Sequence, residues 1–173
     1  MSARCPKCGR ESPWPPLCYG SDAPWRELGV TDAEFSTRVE LTKDQCVVDR
    51  KHFFVRGHVD IPVHDQSERF CWSVWCSLSE ENFCRMTERW NTAGRESDPP
   101  MFGWLQTSLP CYPETVPTKT QVHTRKVGET PFIEVDTEHS LGREQVEGIS
   151  TDRLREFARA ILGSDEPPRC ACI

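Results

Sequence analysis

Residues 53–78 constrain the fold of this chain more than any other stretch. They contain two runs with strand-like alternation, 53–63 and 70–78, joined by a short polar segment. Because side chains alternate between the two faces of a strand, apolar residues at every second position predict one buried face for each run. Two such runs separated by a short turn are typical of a long antiparallel hairpin. We therefore expect this hairpin to be the scaffold of the domain.

Helix signals flank the hairpin and recur near the end of the chain. Ser79 and Ser150 are good N-cap residues, and each begins a segment with an apolar stripe. They predict helices over residues 79–90 and 150–162. A capping-box pattern predicts a shorter helix over residues 31–41.

The remaining periodic segments predict further strands. These strands are expected at residues 45–49, 101–109, 118–126 and 132–137. The sequence thus predicts a single α+β domain over residues 1–163, with one mostly antiparallel sheet of about six strands, two main helices and a loop-built N-terminal arm. Residues 164–173 are expected to form a flexible C-terminal tail.

The N-terminal arm, residues 1–29, is expected to be built from loops because five prolines interrupt it. It carries Cys5-Pro6-Lys7-Cys8-Gly9, the CxxC form of a zinc knuckle. Zinc takes four nitrogen or sulfur ligands, and we expect Cys5, Cys8, Cys18 and Cys46 to supply them, with His52 in reserve. Such a closed site would be structural and would tie the arm to the sheet. The alternative interpretation makes Cys18 and Cys46 small buried apolar residues and the CxxC segment an exposed turn.

Short motifs are spread over residues 5–149. They are Cys5-x-x-Cys8-Gly9, Asp44-x-Cys46, Phe54-Val55-Arg56-Gly57, Trp72 and Trp75 followed by Ser77-Leu78-Ser79-Glu80, Phe102-Gly103-Trp104-Leu105, Leu109-Pro110-x-Tyr112, Pro131-x-Ile133, and His139-x-Leu141 with Gln145 and Gly148-Ile149. Together these motifs resemble the bacterial family known as domain of unknown function 2199. The resemblance implies relatives and no reaction, because the family has no assigned activity. Its members usually continue the knuckle as CGxxH, whereas this chain has Ser12 in place of the histidine. The resemblance therefore implies a metal site only if another residue, such as Cys18, replaces the lost ligand.

A polar face on the first long strand is the second candidate site. Arg56, His58 and Asp60 alternate along the strand and project to one side, with His64 just beyond. They bring an acid–base pair together with an anion-binding guanidinium. The alternative interpretation is a solvated sheet face, which carries polar residues at alternate positions in any antiparallel strand.

Other candidate groups carry weaker signals. Glu134, Asp136, Glu138 and His139 form a carboxylate–histidine cluster that suits a hard cation, although such carboxylates more often face water. Cys84 and Cys111 are possible nucleophiles, but neither has a recognisable partner histidine in the sequence. The tryptophans at positions 72, 75, 90 and 104 are expected to be core residues more than a binding platform.

Charge and composition limit the function classes. The formal net charge of −6 offers no basic stripe for phosphates, so we expect no nucleic-acid partner. No apolar run is long enough to span a membrane, and we expect no membrane partner and a cytoplasmic location. The leading hypothesis is a zinc-stapled binding or interaction module with an unknown protein partner. The alternatives are a small hydrolase-type enzyme that uses Arg56, His58 and Asp60 or an open metal site, and an acidic immunity or inhibitor protein.

Overall fold

The computed structural model describes residues 2–4, 11–13, 15–64 and 66–163. The CxxC segment and the predicted C-terminal tail lie outside these residues, so the predictions made for them stay predictions.

Ten strands and four α-helices lie in the described part of the chain. The strands are β1 (Ser2–Arg4), β2 (Glu11–Pro13), β3 (Cys18–Gly20), β4 (Val39–Leu41), β5 (Gln45–Val48), β6 (His52–Pro62), β7 (Arg69–Leu78), β8 (Met101–Leu105), β9 (Thr118–His123) and β10 (Phe132–Val135). The helices are α1 (Phe35–Arg38), α2 (Glu80–Glu88), α3 (Ser140–Glu147) and α4 (Thr151–Leu162), with a 3-10 helix at Arg95–Ser97. None of these helices is long and apolar enough to cross a membrane.

Five strands close into a barrel in the order β6, β7, β8, β9, β10 and back to β6. The predicted hairpin forms its longest seam, because β6 and β7 pair antiparallel from Phe53↔Leu78 to Pro62↔Arg69. Closure comes from a parallel pairing of β10 with β6 at Phe132↔His58. The mixture of helices and strands expected from the sequence is confirmed. The expected single layer of about six strands is instead a barrel with extra strands. Six of its strand pairings are antiparallel, and two, β10 with β6 and β3 with β7, are parallel.

The extra strands extend the sheet beyond the barrel. β5 pairs with β6 and β4 pairs with β5, both antiparallel, while β3 lies beside β7. β1 and β2 form a separate two-stranded sheet. The arm was expected to be loop-built, but it supplies β3 because Leu17 accepts a backbone hydrogen bond from Cys71 at 2.8 Å and the two segments then run in register.

Barrel closure depends on the close approach of β10 to Gly57. The backbone nitrogen of His58 donates to the carbonyl oxygen of Pro131 at 2.8 Å. A Cβ atom added at Gly57 would lie 2.4 Å from the Cδ1 atom of Ile133 and 3.1 Å from that same Pro131 oxygen. Glycine is therefore the residue that lets the two strands meet here.

Strand alternation separates two apolar clusters, one on each side of the β6–β7 seam. Val55, Val59 and Ile61 face the barrel interior and are fully buried together with Trp72 and other inner residues of β7. The outer side carries a second cluster. Its members are Ala23, Trp25, Val30, Val39, Cys46, Val48, Phe54 and Trp75. Residues of the 20–30 loop thus cover part of the sheet's outer face.

Helix ends follow their capping chemistry. The Ser79 side chain accepts a hydrogen bond from the Asn82 nitrogen at 3.2 Å, and Ser150 accepts one from the Arg153 nitrogen at 3.2 Å. Gly163 ends α4 in the left-handed region at φ 67°. The two main helices are therefore confirmed, whereas the expected 31–41 helix shortens to α1 because the chain turns directly into β4.

Replacing Gly57 with Ala tests the barrel seam. The added methyl group has to displace Ile133 or part β10 from β6, so we expect the free energy of unfolding to fall by about 1–3 kcal/mol. Gly20→Ala is the matched control, since a Cβ there meets nothing within 4 Å and we expect a change within about 0.5 kcal/mol. Chemical denaturation of both variants measures the difference, and equal stabilities would contradict the tight closure.

Candidate metal centre

Three side chains with metal-ligating atoms converge on the outer wall of the barrel. His58 and Asp60 lie two residues apart on β6 and so share a face, and the antiparallel register sets Cys71 directly opposite Asp60. Their ligand atoms all lie within 4.8 Å of one another, and all three residues are half-buried. Among the described residues, this is the one group of three or more such side chains that approach so closely.

A fourth donor adjoins this group from β3. The parallel register pairs Cys18 with Cys71, which places the two side chains on the same face. The Cys71 thiol is hydrogen-bonded to the Cys18 sulfur, and this bond lowers the pKa of Cys18 to about 7 against the opposing effects of burial and of the Asp60 charge. The same bond, with burial, raises the pKa of Cys71. When the two thiols lose their first proton, the negative charge therefore lies on the exposed Cys18 sulfur.

Asp60 has a direct counter-charge, whereas His58 is affected mainly by burial. Asp60 forms an ion pair with the Arg125 guanidinium through its Oδ2 atom. The Arg125 side chain also lies over the Phe132 ring, 5.3 Å from the ring centroid. Burial lowers the pKa of His58, against the opposing effect of the Asp60 charge. His58 is thus favoured in its neutral form, the form in which imidazole binds a metal.

Arg125 is positioned by a buried arginine that the sequence analysis did not single out. Arg95 is 1% exposed, and its guanidinium donates to the carbonyl oxygens of Arg125 at 2.7 Å and of Trp90 at 2.7 Å. It also donates to Lys126 and Glu129 at 3.1 and 3.0 Å. Three of these bonds hold the loop that follows β9, which carries the guanidinium that faces Asp60, and the bond to Trp90 connects this loop to the segment after α2.

Arg56 lies on the predicted face with His58 and Asp60 but has a separate partner. Its Nε and Nη2 atoms both donate to Oδ1 of Asp44, at 3.0 and 2.7 Å. Its backbone nitrogen donates to the Asp44 carbonyl oxygen at 2.8 Å. Arg56 therefore connects β6 to the turn before β5 instead of binding anions freely. His64 is also engaged elsewhere, since its Nε2 atom lies 3.0 Å from the Glu147 carbonyl oxygen.

Among the predicted zinc ligands that the structure describes, Cys46 and Cys18 lie far apart. Cys46 lies opposite Phe54 on β6, whereas Cys18 aligns through Cys71 with Asp60. Six residues at about 3.3 Å each separate these levels by about 20 Å along the strand, too far for one ion. Burial raises the pKa of Cys46 to about 11, as expected for a small apolar core residue. His52 lies at the same distant end, and Cys5 and Cys8 lie outside the described residues.

The remaining candidate residues have local structural roles. Glu134 accepts from His123 at 2.8 Å, and Oδ1 of Asp136 accepts from the Glu138 nitrogen at 2.9 Å. His139 caps α3, because its Nδ1 atom accepts from the Leu141 nitrogen at 3.1 Å. The predicted hard-cation cluster is thus dispersed. Cys84 and Cys111 are exposed single thiols.

The fold and the donor cluster define a mixed α/β barrel protein with a candidate metal centre on its outer wall. The chain belongs to a family of uncharacterised proteins conserved in bacteria, DUF2199, whose model matches residues 4–149. No curated protein and no solved structure matches the chain.

Replacing Arg56 with Ala tests its role as a connector. The change leaves the half-buried Asp44 carboxylate without its guanidinium, so we expect a loss of about 1–3 kcal/mol in the free energy of unfolding. Arg155→Ala is the control, because Arg155 pairs with Asp152 on the exposed face of α4 and such pairs contribute about 0–1 kcal/mol. Urea unfolding compares the variants. If the Arg56 variant is as stable as the Arg155 variant, the connector role is wrong and Arg56 is again a candidate for binding anions.

Proposed function

We propose that the protein is a cytosolic, zinc-stapled interaction module whose ion is held by Cys18, His58, Asp60 and Cys71. The observation that carries this proposal is the convergence of the His58, Asp60 and Cys71 ligand atoms within 4.8 Å. Ligands at about 2.0–2.3 Å around a tetrahedral ion lie about 3.3–3.8 Å apart, so small side-chain rotations bring these donors to zinc.

The surrounding charges suit a divalent cation bound by anionic ligands. Two thiolates and one carboxylate carry three negative charges, and a zinc ion leaves one in excess. Arg125 and Arg56 lie close enough to act on the charges of this cluster. Arg125 contacts the Oδ2 atom of Asp60, which leaves Oδ1 as the ligand atom. A guanidinium on one carboxylate oxygen orients the other oxygen toward a metal ion and balances part of the carboxylate charge.

The ion would fasten a weakly held strand. β3 has three residues and pairs only with β7 among the described strands. An ion bound by Cys18 and by residues of β6 and β7 would lock β3, and the arm before it, onto the barrel. Four protein ligands leave no position for water or substrate, so this site is structural.

An exposed aromatic pair supports the interaction role. Phe102 and Trp104 on β8 are 46% and 38% exposed, and their rings meet edge to face with centroids 5.2 Å apart. A cleft of about 280 Å³ adjoins Phe102 and is also lined by Lys119, Glu134 and Asp136. Exposed aromatic side chains beside charged groups are typical anchors for a protein partner. The net charge of −6 favours a basic partner.

Metal analysis of the purified protein tests the zinc site. We expect one zinc per chain, with Cys71→Ser and His58→Ala each reducing this to near zero because a ligand is lost. Cys84→Ser is the matched control, since Cys84 is an exposed thiol on α2, and its zinc content should stay at one. Chelator treatment should lower the melting temperature of the wild type and leave that of Cys71→Ser unchanged.

The predicted Cys5-x-x-Cys8 knuckle gives a competing ligand set for the same assay. If the double variant Cys5→Ser, Cys8→Ser loses zinc while Cys71→Ser retains it, the ion belongs to the arm and the proposed outer-wall site is wrong. Absence of zinc from freshly prepared wild type would remove both assignments.

A hydrolase-type enzyme is the second candidate, and the three-membered donor group favours it. If His58, Asp60 and Cys71 bind the ion without Cys18, the fourth position is open to water, the arrangement of catalytic zinc sites. Cobalt substitution separates the two cases. A closed site gives a visible spectrum that added azide leaves unchanged, whereas an azide-induced shift would indicate an open site and support the enzyme.

A further inference from the structure

We propose that Cys18 and Cys71 form a redox-active dithiol that low-molecular-weight disulfides, such as oxidised glutathione, convert to a cross-strand disulfide. The two residues are register partners in neighbouring parallel strands. Neighbouring strands lie about 4.8 Å apart, and disulfides join residues whose Cα atoms are about 4.4–6.8 Å apart. The pairing therefore already holds the two backbones at bonding distance.

Two features of the side chains also favour a disulfide. Register partners point to the same face, and the Cys71 thiol is hydrogen-bonded to the Cys18 sulfur. Cys18 is exposed, so a small disulfide can reach it, while Cys71 is half-buried. This asymmetry makes Cys18 the attacking thiol and Cys71 the resolving thiol.

The other described cysteines lack such a partner. Cys46 and Cys76 are fully buried, and burial raises the pKa of Cys76 to about 12, so neither is accessible or nucleophilic. Cys84 and Cys111 are exposed but have no register partner, because Cys84 lies on α2 and Cys111 in the loop after β8. Their reaction with the oxidant shows how an exposed thiol behaves when no second cysteine lies beside it.

The reaction is two successive thiol–disulfide exchanges. The Cys18 sulfur attacks one sulfur of the small disulfide, a mixed disulfide forms, and one small thiolate leaves with the Cys18 proton. The Cys71 sulfur then attacks the Cys18 sulfur, the protein disulfide forms, and the second small thiolate leaves with the Cys71 proton. Two protein thiols are oxidised and one small disulfide is reduced to two thiols, so no further oxidant is needed.

Oxidation also controls the metal site, a consequence that rests on the proposed function. The same two sulfurs are proposed zinc ligands, and a sulfur in a disulfide is no longer a thiolate ligand. The disulfide and the bound ion therefore exclude each other. Oxidation would release the ion and replace the metal link between β3 and β7 with a covalent one.

The test treats zinc-free, full-length Cys84→Ser protein with oxidised glutathione and maps disulfides by tryptic digestion and mass spectrometry. Peptide 11–26 contains Cys18 as its one cysteine, and peptide 70–85 contains Cys71 and the buried Cys76 in this variant. We expect these two peptides to be linked, with fragmentation assigning the bond to Cys71. A link from Cys18 to the N-terminal cysteines, or glutathione on Cys111 while Cys71 stays reduced, would overturn the proposal.

Two single variants keep the test sharp. Cys71→Ser should trap Cys18 as a stable glutathione adduct, because the resolving thiol is missing. Cys18→Ser should leave Cys71 unmodified under the same conditions, because the half-buried thiol is not reached first. An unmodified Cys18 in the Cys71→Ser protein would contradict the assigned order of attack.

A parallel measurement separates this proposal from the zinc site. Zinc-loaded wild type and Cys84→Ser should each release one equivalent of zinc as the linked peptide appears. Linked peptide in a protein that never bound zinc would sustain the dithiol and reject the metal proposal. If Cys18 and Cys71 bind zinc but the zinc-free protein forms no linked peptide, the metal proposal is supported and the redox-active dithiol is rejected.

Discussion

The pairing of β6 with β7 is the interaction on which the rest of the structure depends. Their antiparallel ladder runs from Phe53↔Leu78 to Pro62↔Arg69 and supplies both faces of the molecule with side chains at defined positions. The inner face fills the barrel, and the outer face carries an apolar cluster at one end and the donor group at the other. β7 is long enough for two strands to share its second edge. β3 pairs at residues 71–73 and β8 at residues 76–78, which is why Cys18 arrives beside Cys71.

Half-buried charge on the outer wall is tolerated because each charged group there has a partner. Arg56 is bound to Asp44, and Arg125 is bound to Asp60. Burial of an ionic group costs free energy unless a counter-charge or hydrogen bonds replace the lost water. Cys18 and Cys71 have no charged partner of this kind: the Cys71 thiol interacts with the Cys18 sulfur and with Asp60, and hydrogen bonds of a thiol are weak compared with a metal–thiolate bond. This difference is the physical reason to look for metal and redox chemistry at the thiol pair and not at Arg56.

Local chemistry made several elements predictable. Ser79, Ser150 and Gly163 act through neighbouring backbone atoms, and the helices they bound lie where the sequence indicated. The alternation of residues 53–63 and 70–78 likewise assigned inner and outer faces. Helix α3 was missed because it has eight residues and its buried side is small, formed by Leu141, Gly142 and Gln145. β3 was missed because a three-residue parallel strand has no periodic signal.

Cys71 shows how far the candidate site could have been derived. The observed β6–β7 register sets Asp60 opposite Cys71, and this register, once known, adds the thiol to the predicted polar face. The partners from distant segments had no such signal, since nothing local relates Cys18 to Cys71 or Arg125 to Asp60.

The sequence by itself determined the hairpin, its two faces, the main helix ends and the presence of sulfur, imidazole and carboxylate donors. Only the tertiary structure decided which donors meet. Barrel closure at Gly57 brings residues 131–133 against β6, and the parallel docking of β3 delivers Cys18 while leaving Cys46 about 20 Å away by the rise of a strand. Both contacts join segments far apart in the chain. They form because closing the sheet buries apolar surface and satisfies backbone hydrogen bonds over the whole domain, and no short stretch of sequence encodes that gain.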